Sequence, residues 1–98
     1  MTPRLLLRAE AKADAQEAFD WYEGRSTGLG FEFLRALRVE LASVERAPLQ
    51  FNIEHVDIRR VRLRKFPWSV YYVILPEVVT VIAVLRDGRD ERRWQTRR

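Results

Sequence analysis

The chain of 98 residues is 47% hydrophobic and 33% charged, carries 18 lysines and arginines against 14 acids, and contains no cysteine. This length allows one domain with a single core, and the composition is typical of a folded protein. The lack of cysteine excludes disulfides and thiolate metal sites, and no apolar run approaches the roughly 18 residues of a membrane span. We therefore expect a cytoplasmic protein with no membrane partner, no cofactor and no metal site.

The positive charge is concentrated in the second part of the chain. Residues 58–98 carry eleven lysines and arginines against four acids, whereas residues 1–57 carry seven against ten. The basic groups lie on and beside strand-like segments. This distribution indicates an acidic or polyanionic partner.

Hydrophobic periodicity predicts a short strand over residues 3–8 and then two helices. The first helix runs from Ala9 to about Arg25, with acids on its polar side and an apolar face formed by Ala11, Ala15, Ala18 and Tyr22. Residues 26–30 interrupt the pattern. The second helix ends at Ala47, before a proline, and its apolar face comprises Leu34, Leu37, Leu41 and Val44. The two helices should form a hairpin that presents one joint apolar face to a sheet.

The period then changes to two, which predicts a sheet. Residues 48–57 are interpreted as a loop anchored by Phe51 and Ile53. Three strands are predicted after it, at 58–65, 68–75 and 78–85. We expect an α+β fold in which an N-terminal strand and an antiparallel helix hairpin precede a three-stranded antiparallel meander packed on the hairpin, in the order β-α-α-β-β-β.

Strand alternation places Arg60, Arg62 and Arg64 side by side on one face of the sheet. Such a row either keeps an exposed face from aggregating or binds acidic groups, and the two roles are compatible. The last strand is apolar on both faces, but the helix hairpin covers only one. Solvent, a short tail or a partner must cover the other face, and we favour a partner.

Several short motifs follow one another along nearly the whole chain. They are Trp21-Tyr22-Glu23, Gly28-Leu29-Gly30 with Phe33-Leu34, Arg60 with Leu63, Phe66-Pro67-Trp68 with Tyr71-Tyr72, Val81 to Leu85, Arg89-Asp90, and Trp94. In this order and spacing they resemble the RelE/ParE superfamily of type II toxins, with the closest resemblance to the ParE branch. The positions at which the family usually has His and often Pro are Arg86 and Glu91 here.

The resemblance implies a RelE/ParE-like fold and a small toxin paired with a labile antitoxin. In the ParE branch such toxins poison DNA gyrase, and in the RelE branch they cleave messenger RNA on the ribosome. We expect residues 1–98 to form a single toxin domain whose residues 87–98 are a basic C-terminal tail.

The chemistry of RNA cleavage separates the two branches. Attack by a 2′-hydroxyl needs a base, a group that stabilises the phosphorane and an acid, and arginine supplies only the second. The lone His55 is interpreted as a loop residue, and no Tyr, Lys or His follows Tyr72. We therefore favour a toxin that inhibits DNA gyrase without catalysis of its own.

Two alternatives remain open. The first is a ribosome-dependent mRNA endoribonuclease, whose candidate catalytic residues are Glu54, His55, Arg64 and Arg86. The second is an interaction module that has lost its toxicity. The favoured interpretation requires a cognate ParD-like antitoxin and DNA gyrase as partners, and we expect no sequence-specific DNA binding by this chain itself.

Two sets of binding residues follow from the charge pattern and the resemblance. The candidate antitoxin-binding residues are Arg60, Arg62, Arg64 and Tyr71. The candidate target-binding residues are Arg86, Arg89, Arg92, Arg93 and Trp94. Trp94 either folds back on the sheet or anchors an interface, since Trp and Arg are enriched at interface hot spots. We expect the C-terminal segment to serve toxicity more than folding, so that truncation after Asp90 leaves a folded protein.

Overall fold

The structure, a computed structural model, describes residues 4–88 and 92–98. In these residues the elements are β1 (Arg4–Leu7), α1 (Ala9–Arg25), α2 (Leu29–Arg46), a 3-10 turn (Pro48–Gln50), β2 (Ile53–His55), β3 (Ile58–Arg62), β4 (Trp68–Leu75), β5 (Val78–Arg86) and α3 (Arg92–Gln95). The five strands found there form one sheet in the order β1-β5-β4-β3-β2. The predicted α+β fold with a helix hairpin and an antiparallel meander is confirmed, and β2 and α3 are added to it. Among the described helices, none is long and apolar enough to cross a membrane.

Strand β1 lies beside β5 and runs parallel to it, whereas the other neighbouring strands are antiparallel. Arg4 is in register with Val78 and Leu7 with Val81. The backbone N–H of Arg8 adds a hydrogen bond to the carbonyl of Val81 at 3.0 Å. The parallel pairing requires a crossover connection, and the α1–α2 hairpin is part of it.

The geometry of the turn between the two helices explains why glycines occur at positions 28 and 30. The carboxylate of Glu23 accepts hydrogen bonds from the backbone N–H groups of Gly28 and Gly30, both at 2.9 Å, and so satisfies two donors at the start of α2. Gly28 has φ 92°, a left-handed conformation that glycine adopts without strain. At Gly30 a Cβ would lie 2.8 Å from the carbonyl oxygen of Phe19, so only glycine fits this close approach of the helices.

The hairpin covers the first face of the sheet and forms the main core with it. The buried helix residues are Ala11, Ala18, Tyr22, Phe33, Leu37 and Val44. Opposite them, the buried strand residues include Val61, Val70, Tyr72, Val79 and Val81. The rings of Tyr22 and Phe33 stack at 5.4 Å, and the indole N–H of Trp68 donates to the hydroxyl of Tyr22 at 2.9 Å. Each large apolar side chain that is fully buried contributes about 1.5 to 3 kcal/mol.

The segment after α2 departs from the predicted loop. Phe51 packs against the main core as expected, but Ile53 begins β2 and is 51% exposed, so it is not an anchor. Tyr72 holds the segment instead, because its hydroxyl donates to the carbonyl of Pro48. Burial raises the pKa of Tyr72 to about 12, only partly opposed by the nearby positive charge of Arg59.

Strand β3 is shorter than predicted, and this changes the arginine row. The strand ends at Arg62 rather than at residue 65. Lys65 adopts a positive φ of 68° in the turn to β4, so the chain has left the sheet geometry at this point. Arg64 therefore lies in the β3–β4 turn, and the prediction of three arginines side by side on one strand is wrong for Arg64.

The second face of the sheet carries a smaller core of its own. Its buried residues are Ile58, Tyr71, Val73, Ile82, Ala83, Leu85 and Trp94. Trp94 comes from α3, which packs back on the sheet. The sequence left solvent, a short tail or a partner as possible covers for this face, and the structure shows that the C-terminal tail covers part of it.

Candidate functional site

Arg60 is the central charged group on the second face. Its Nε donates to the hydroxyl of Ser69 at 2.9 Å, and its Nη2 donates to Oδ1 of Asp87 at 2.8 Å. The Ser69 hydroxyl also donates to the same Asp87 oxygen, at 2.5 Å. Burial on its own would lower the pKa of Arg60, but the hydrogen bond to Asp87 and the negative charges nearby raise it above its usual value. Arg60 is thus a positive charge that two side-chain hydrogen bonds hold in place.

Arg62 is the more exposed of the two arginines next to Asp87. Its side chain is 71% exposed, and its Nε lies 3.7 Å from Oδ2 of Asp87. This distance and exposure correspond to a weak surface ion pair. Arg62 can exchange Asp87 for a carboxylate of another molecule at little cost, whereas Arg60 cannot.

Tyr71 lies beneath the C-terminal helix. Its ring stacks on that of Trp94, with centroids 4.5 Å apart and an interplanar angle of 14°. The guanidinium of Arg60 lies 5.7 Å from the Tyr71 ring, and the His55 ring lies 6.1 Å from that of Trp94. Tyr71 and Trp94 are both buried, so neither is an exposed contact residue in this conformation. Of the two alternatives considered for Trp94, the structure shows that it folds back on the sheet.

Charged groups fasten the end of the chain to the fold on two sides. The guanidinium of Arg97 donates to both carboxylate oxygens of Asp14, a buried residue of α1, and to the carbonyl of Ile82 at 3.2 Å. Arg98 donates to the two carboxylate oxygens of Asp57 at 2.7 and 2.6 Å. These hydrogen bonds lower the pKa of Asp57 and raise that of Arg98. The tail thus bridges α1 and the β2–β3 turn.

The pair of Asp14 and Arg97 also completes the edge of β5. Strand β1 covers β5 only as far as Val81, because α1 begins at Ala9. Beyond this point Asp14 accepts the backbone N–H of Val84 at 3.0 Å, while Arg97 donates to the carbonyl of Ile82. The two side chains supply the acceptor and the donor that a neighbouring strand would supply.

The four candidate catalytic residues do not gather at one site. Glu54 and His55 are exposed on β2, where Glu54 lines an open groove with Arg60 and Arg62. Arg64 instead lines a groove between α2 and the β3–β4 turn. Arg86 lies at the end of β5, 5.8 Å from the ring centre of Trp21. The four residues of the ribonuclease alternative therefore lie in three places, with Glu54 and His55 together on β2 and Arg64 and Arg86 each elsewhere.

The remaining target-binding candidates lie at the C-terminal end. Arg92 and Arg93 are exposed on α3, whereas Trp94 of the same helix is buried. Arg89 lies outside the described residues. The exposed aromatic residue beside Arg86 is Trp21, which sequence reasoning used only as part of a family motif.

Sequence reasoning also missed Asp14 and Asp87. The amphipathic pattern predicts that the acids of α1 lie on its polar side, but the position of Asp14 completes a helical series with Ala11, Ala18 and Tyr22, and this spacing could have identified it as buried. Asp87 gave no comparable signal, because its partners Arg60 and Ser69 are far away in the sequence.

Comparisons with known proteins bear on the fold and the family of the chain. A family model described as ParE toxin of type II toxin-antitoxin system, parDE, matches residues 5–91. A solved chain from the chromosomal ParDE TA system of P. aeruginosa superposes with a TM-score of 0.77 at 16% identity, over 87% of this chain and 96% of that one. A mutant of E. coli toxin RelE in the free state superposes with a TM-score of 0.56 at 18% identity, over 93% of this chain and 90% of that one. No curated protein sequence matches the chain.

The structural likenesses show the fold, which is that of the RelE/ParE superfamily. The family model spans most of the sequence, so the chain belongs to the ParE toxin family of type II toxin–antitoxin systems. The resemblance seen in the motifs, including its leaning to the ParE branch, is confirmed.

Proposed function

We propose that this chain is a cytoplasmic toxin that inhibits DNA gyrase by binding it, and that a cognate antitoxin neutralises the toxin by direct contact. The separation of the candidate arginines, Arg64 and Arg86, from the candidate acid–base pair carries this proposal. RNA cleavage needs a base, an acid and a stabilising charge around one phosphate. Glu54 and His55 lie on β2, whereas Arg64 and Arg86 lie in other places, which supports action by binding rather than cleavage.

Two assays of the purified toxin, run in parallel, test the target. We expect the toxin to inhibit supercoiling by gyrase or to trap cleaved DNA, and to leave messenger RNA intact in a translation reaction. Ribosome-dependent cuts in the mRNA, with supercoiling unaffected, would contradict the proposal.

A ribosome-dependent endoribonuclease is the second candidate, and one observation favours it. Glu54 lines the same open groove as Arg60 and Arg62, which places a carboxylate beside two guanidiniums that can stabilise a phosphorane. If mRNA is cut, the variant Glu54→Gln should abolish the cuts without loss of folding. Unchanged cutting by this variant would exclude Glu54 as the base.

The antitoxin is proposed to bring carboxylates to the groove at Arg60 and Arg62. Arg62 is the more exchangeable of the two, because its pair with Asp87 is long and exposed. Arg64 belongs to the groove beside α2, so it contributes only if the antitoxin extends around the β3–β4 turn. Tyr71 lies under Trp94 and contributes to the shape of the site through that contact.

Charge reversal at Arg62 tests this surface with little risk to folding. Arg62→Glu should weaken antitoxin binding about tenfold and reduce its dependence on salt. Arg38→Glu, an exposed arginine on α2, is the matched control and should bind as the wild type does. Equal antitoxin affinity of the two variants in a titration would place the antitoxin elsewhere.

A further inference from the structure

Trp21 is a large apolar side chain that remains on the surface. It lies on α1 and is 45% exposed. Its ring meets that of Tyr22, a residue of the main core, edge-on at 5.0 Å and 85°. A half-exposed indole whose ring already contacts its neighbours has less conformational freedom to lose when a partner covers it, which favours binding.

Arginines surround this indole. The guanidinium of Arg25, one helical turn further along α1, lies 4.3 Å from the ring centre of Trp21. The guanidinium of Arg86, from the end of β5, lies 5.8 Å from it. Both are cation–π distances, so the ring and the two cations hold one another in place.

The same surface continues from Arg86 to α3. Arg86 and Arg93 line a small cleft together with Glu17, which lies one turn before Trp21 on α1. Asp14 borders this cleft too, but its carboxylate is already bound by Arg97. Among the described residues, two guanidiniums line this cleft with the carboxylate of Glu17, and a third, that of Arg25, lies at the Trp21 ring, so the described part of this surface has an excess of positive charge.

We propose that this surface, formed by Trp21, Arg25, Arg86 and Arg93 and called here the Trp21 surface, is where the toxin contacts its target. The partner is an acidic protein surface whose carboxylates pair with Arg25 and Arg86 while an apolar side chain packs on the exposed edge of the indole. The inference rests on the proposed function, because it assigns the residues that would bind the toxin's target. Trp and Arg dominate the binding energy of protein interfaces. Trp21 is exposed and can contact a partner, whereas Trp94 is buried against Tyr71.

The arrangement favours a protein over a single-stranded nucleic acid. A nucleobase binds an aromatic residue by stacking on its ring face. Arg25 lies 4.3 Å from the ring centre of Trp21 and competes for that position. Carboxylates of a protein can instead pair with the guanidiniums from outside and leave the ring and its cations in place.

Two changes test the Trp21 surface, each with a matched control. Trp21→Ala removes the indole, and Phe31→Ala is its control, since Phe31 is 55% exposed and has an edge contact to Phe19. Arg86→Glu reverses a charge, with Arg38→Glu on α2 as its control. Growth arrest after expression, binding to purified gyrase, binding to the antitoxin and the thermal unfolding transition are measured for each variant.

We expect Trp21→Ala and Arg86→Glu to unfold cooperatively and to bind the antitoxin, but to lose at least about tenfold in gyrase binding and to arrest growth less. Both controls should arrest growth as the wild type does. Folded Trp21 and Arg86 variants that arrest growth fully would overturn the inference. Loss of antitoxin binding would also overturn it, because the surface would then belong to the antitoxin.

The outcomes separate this inference from the proposed function. A wild-type toxin that arrests growth without inhibiting gyrase overturns the proposed target, while growth arrest by the variants still decides on the Trp21 surface. A wild-type chain that arrests no growth overturns both. A single-stranded DNA or RNA oligonucleotide that binds the wild type but not Trp21→Ala would identify a nucleic acid as the partner and overturn the acidic protein surface.

Discussion

Trp94 of α3 and Tyr71 of β4 stack with ring centroids 4.5 Å apart and are only 6% and 4% exposed. This contact joins the basic end of the chain to the second face of the sheet. The C-terminal segment is therefore part of the folded structure as well as a carrier of surface charge.

Truncation after Asp90, which we expect from the sequence to leave a folded protein, should lower the stability of that protein. It removes Trp94 and Arg97 and exposes Tyr71, and the loss of a buried tryptophan alone costs about 3 to 5 kcal/mol. Chemical denaturation should show a lower free energy of unfolding for the truncated chain and for Trp94→Ala. Arg93→Ala, an exposed change on the same helix, is the control and should leave stability unchanged. A truncated chain as stable as the full chain would show that the stacking contributes nothing.

The stability lost when the buried ion pair of Asp14 and Arg97 is broken should depend on which of the two residues is replaced. Arg97→Ala leaves the carboxylate of Asp14 buried with only the N–H of Val84, and breaking a pair in this way costs about 3 kcal/mol. Asp14→Asn keeps an acceptor for that N–H and should cost less. Thermal unfolding of the two variants shows which one is less stable. Equal losses of stability would mean that the hydrogen bond from Val84 to residue 14 contributes nothing measurable.

Replacement by alanine should change the free energy of unfolding in opposite directions at Gly30 and Gly24. Gly30→Ala places a Cβ against the carbonyl and the ring of Phe19 at 2.8 to 2.9 Å, and overpacking of this kind costs about 2 kcal/mol. Gly24 has open space around it within α1, so Gly24→Ala should raise stability by about 0.5 to 1 kcal/mol. The comparison uses the free energy of unfolding, and a neutral Gly30→Ala would show that the helices can move apart freely.

The contact of Asp57 with Arg98 should make the tail sensitive to acid. The hydrogen bond from Arg98 lowers the pKa of Asp57 from its ordinary value of 3.8. A carboxylate whose pKa is lowered by folding stabilises the protein above that ordinary value and loses this contribution as the pH falls through the lowered value. Asp57→Asn should therefore be less stable than the wild type at about pH 6, and the difference should shrink as the pH falls below the ordinary value of 3.8. A difference that is constant over this range would exclude the ionised pair as its source.

The regular elements could be predicted because their signals are local. Helix α1 begins at Ala9 and ends at Arg25 as predicted, and β4 spans Trp68–Leu75 as predicted. In both, the period of the apolar residues reports directly which side faces the core. The family resemblance rested on the same kind of local pattern.

The site could not be predicted in the same way, because its contacts join residues that are distant in the chain. Asp14 is paired with Arg97, and Asp87 is paired with Arg60, so neither carboxylate shows its partner in its own segment. Arg64 was placed with Arg60 and Arg62 because alternation was continued past the real end of β3. Such an end depends on the turn geometry at Lys65, where a residue other than glycine takes a positive φ.

The parallel pairing of β1 with β5 has a consequence for the order of folding. It joins Arg4–Leu7 to Val78–Val81, whereas the α1–α2 hairpin and the β3–β4–β5 meander form from segments close together in the chain. Closing the longer loop costs more chain entropy, and contacts of this kind slow folding. In pulse-labelled hydrogen exchange, amides of the hairpin should gain protection before those shared by β1 and β5, and simultaneous protection would contradict this order. The slowest step in folding of this toxin would then be the pairing of β1 with β5.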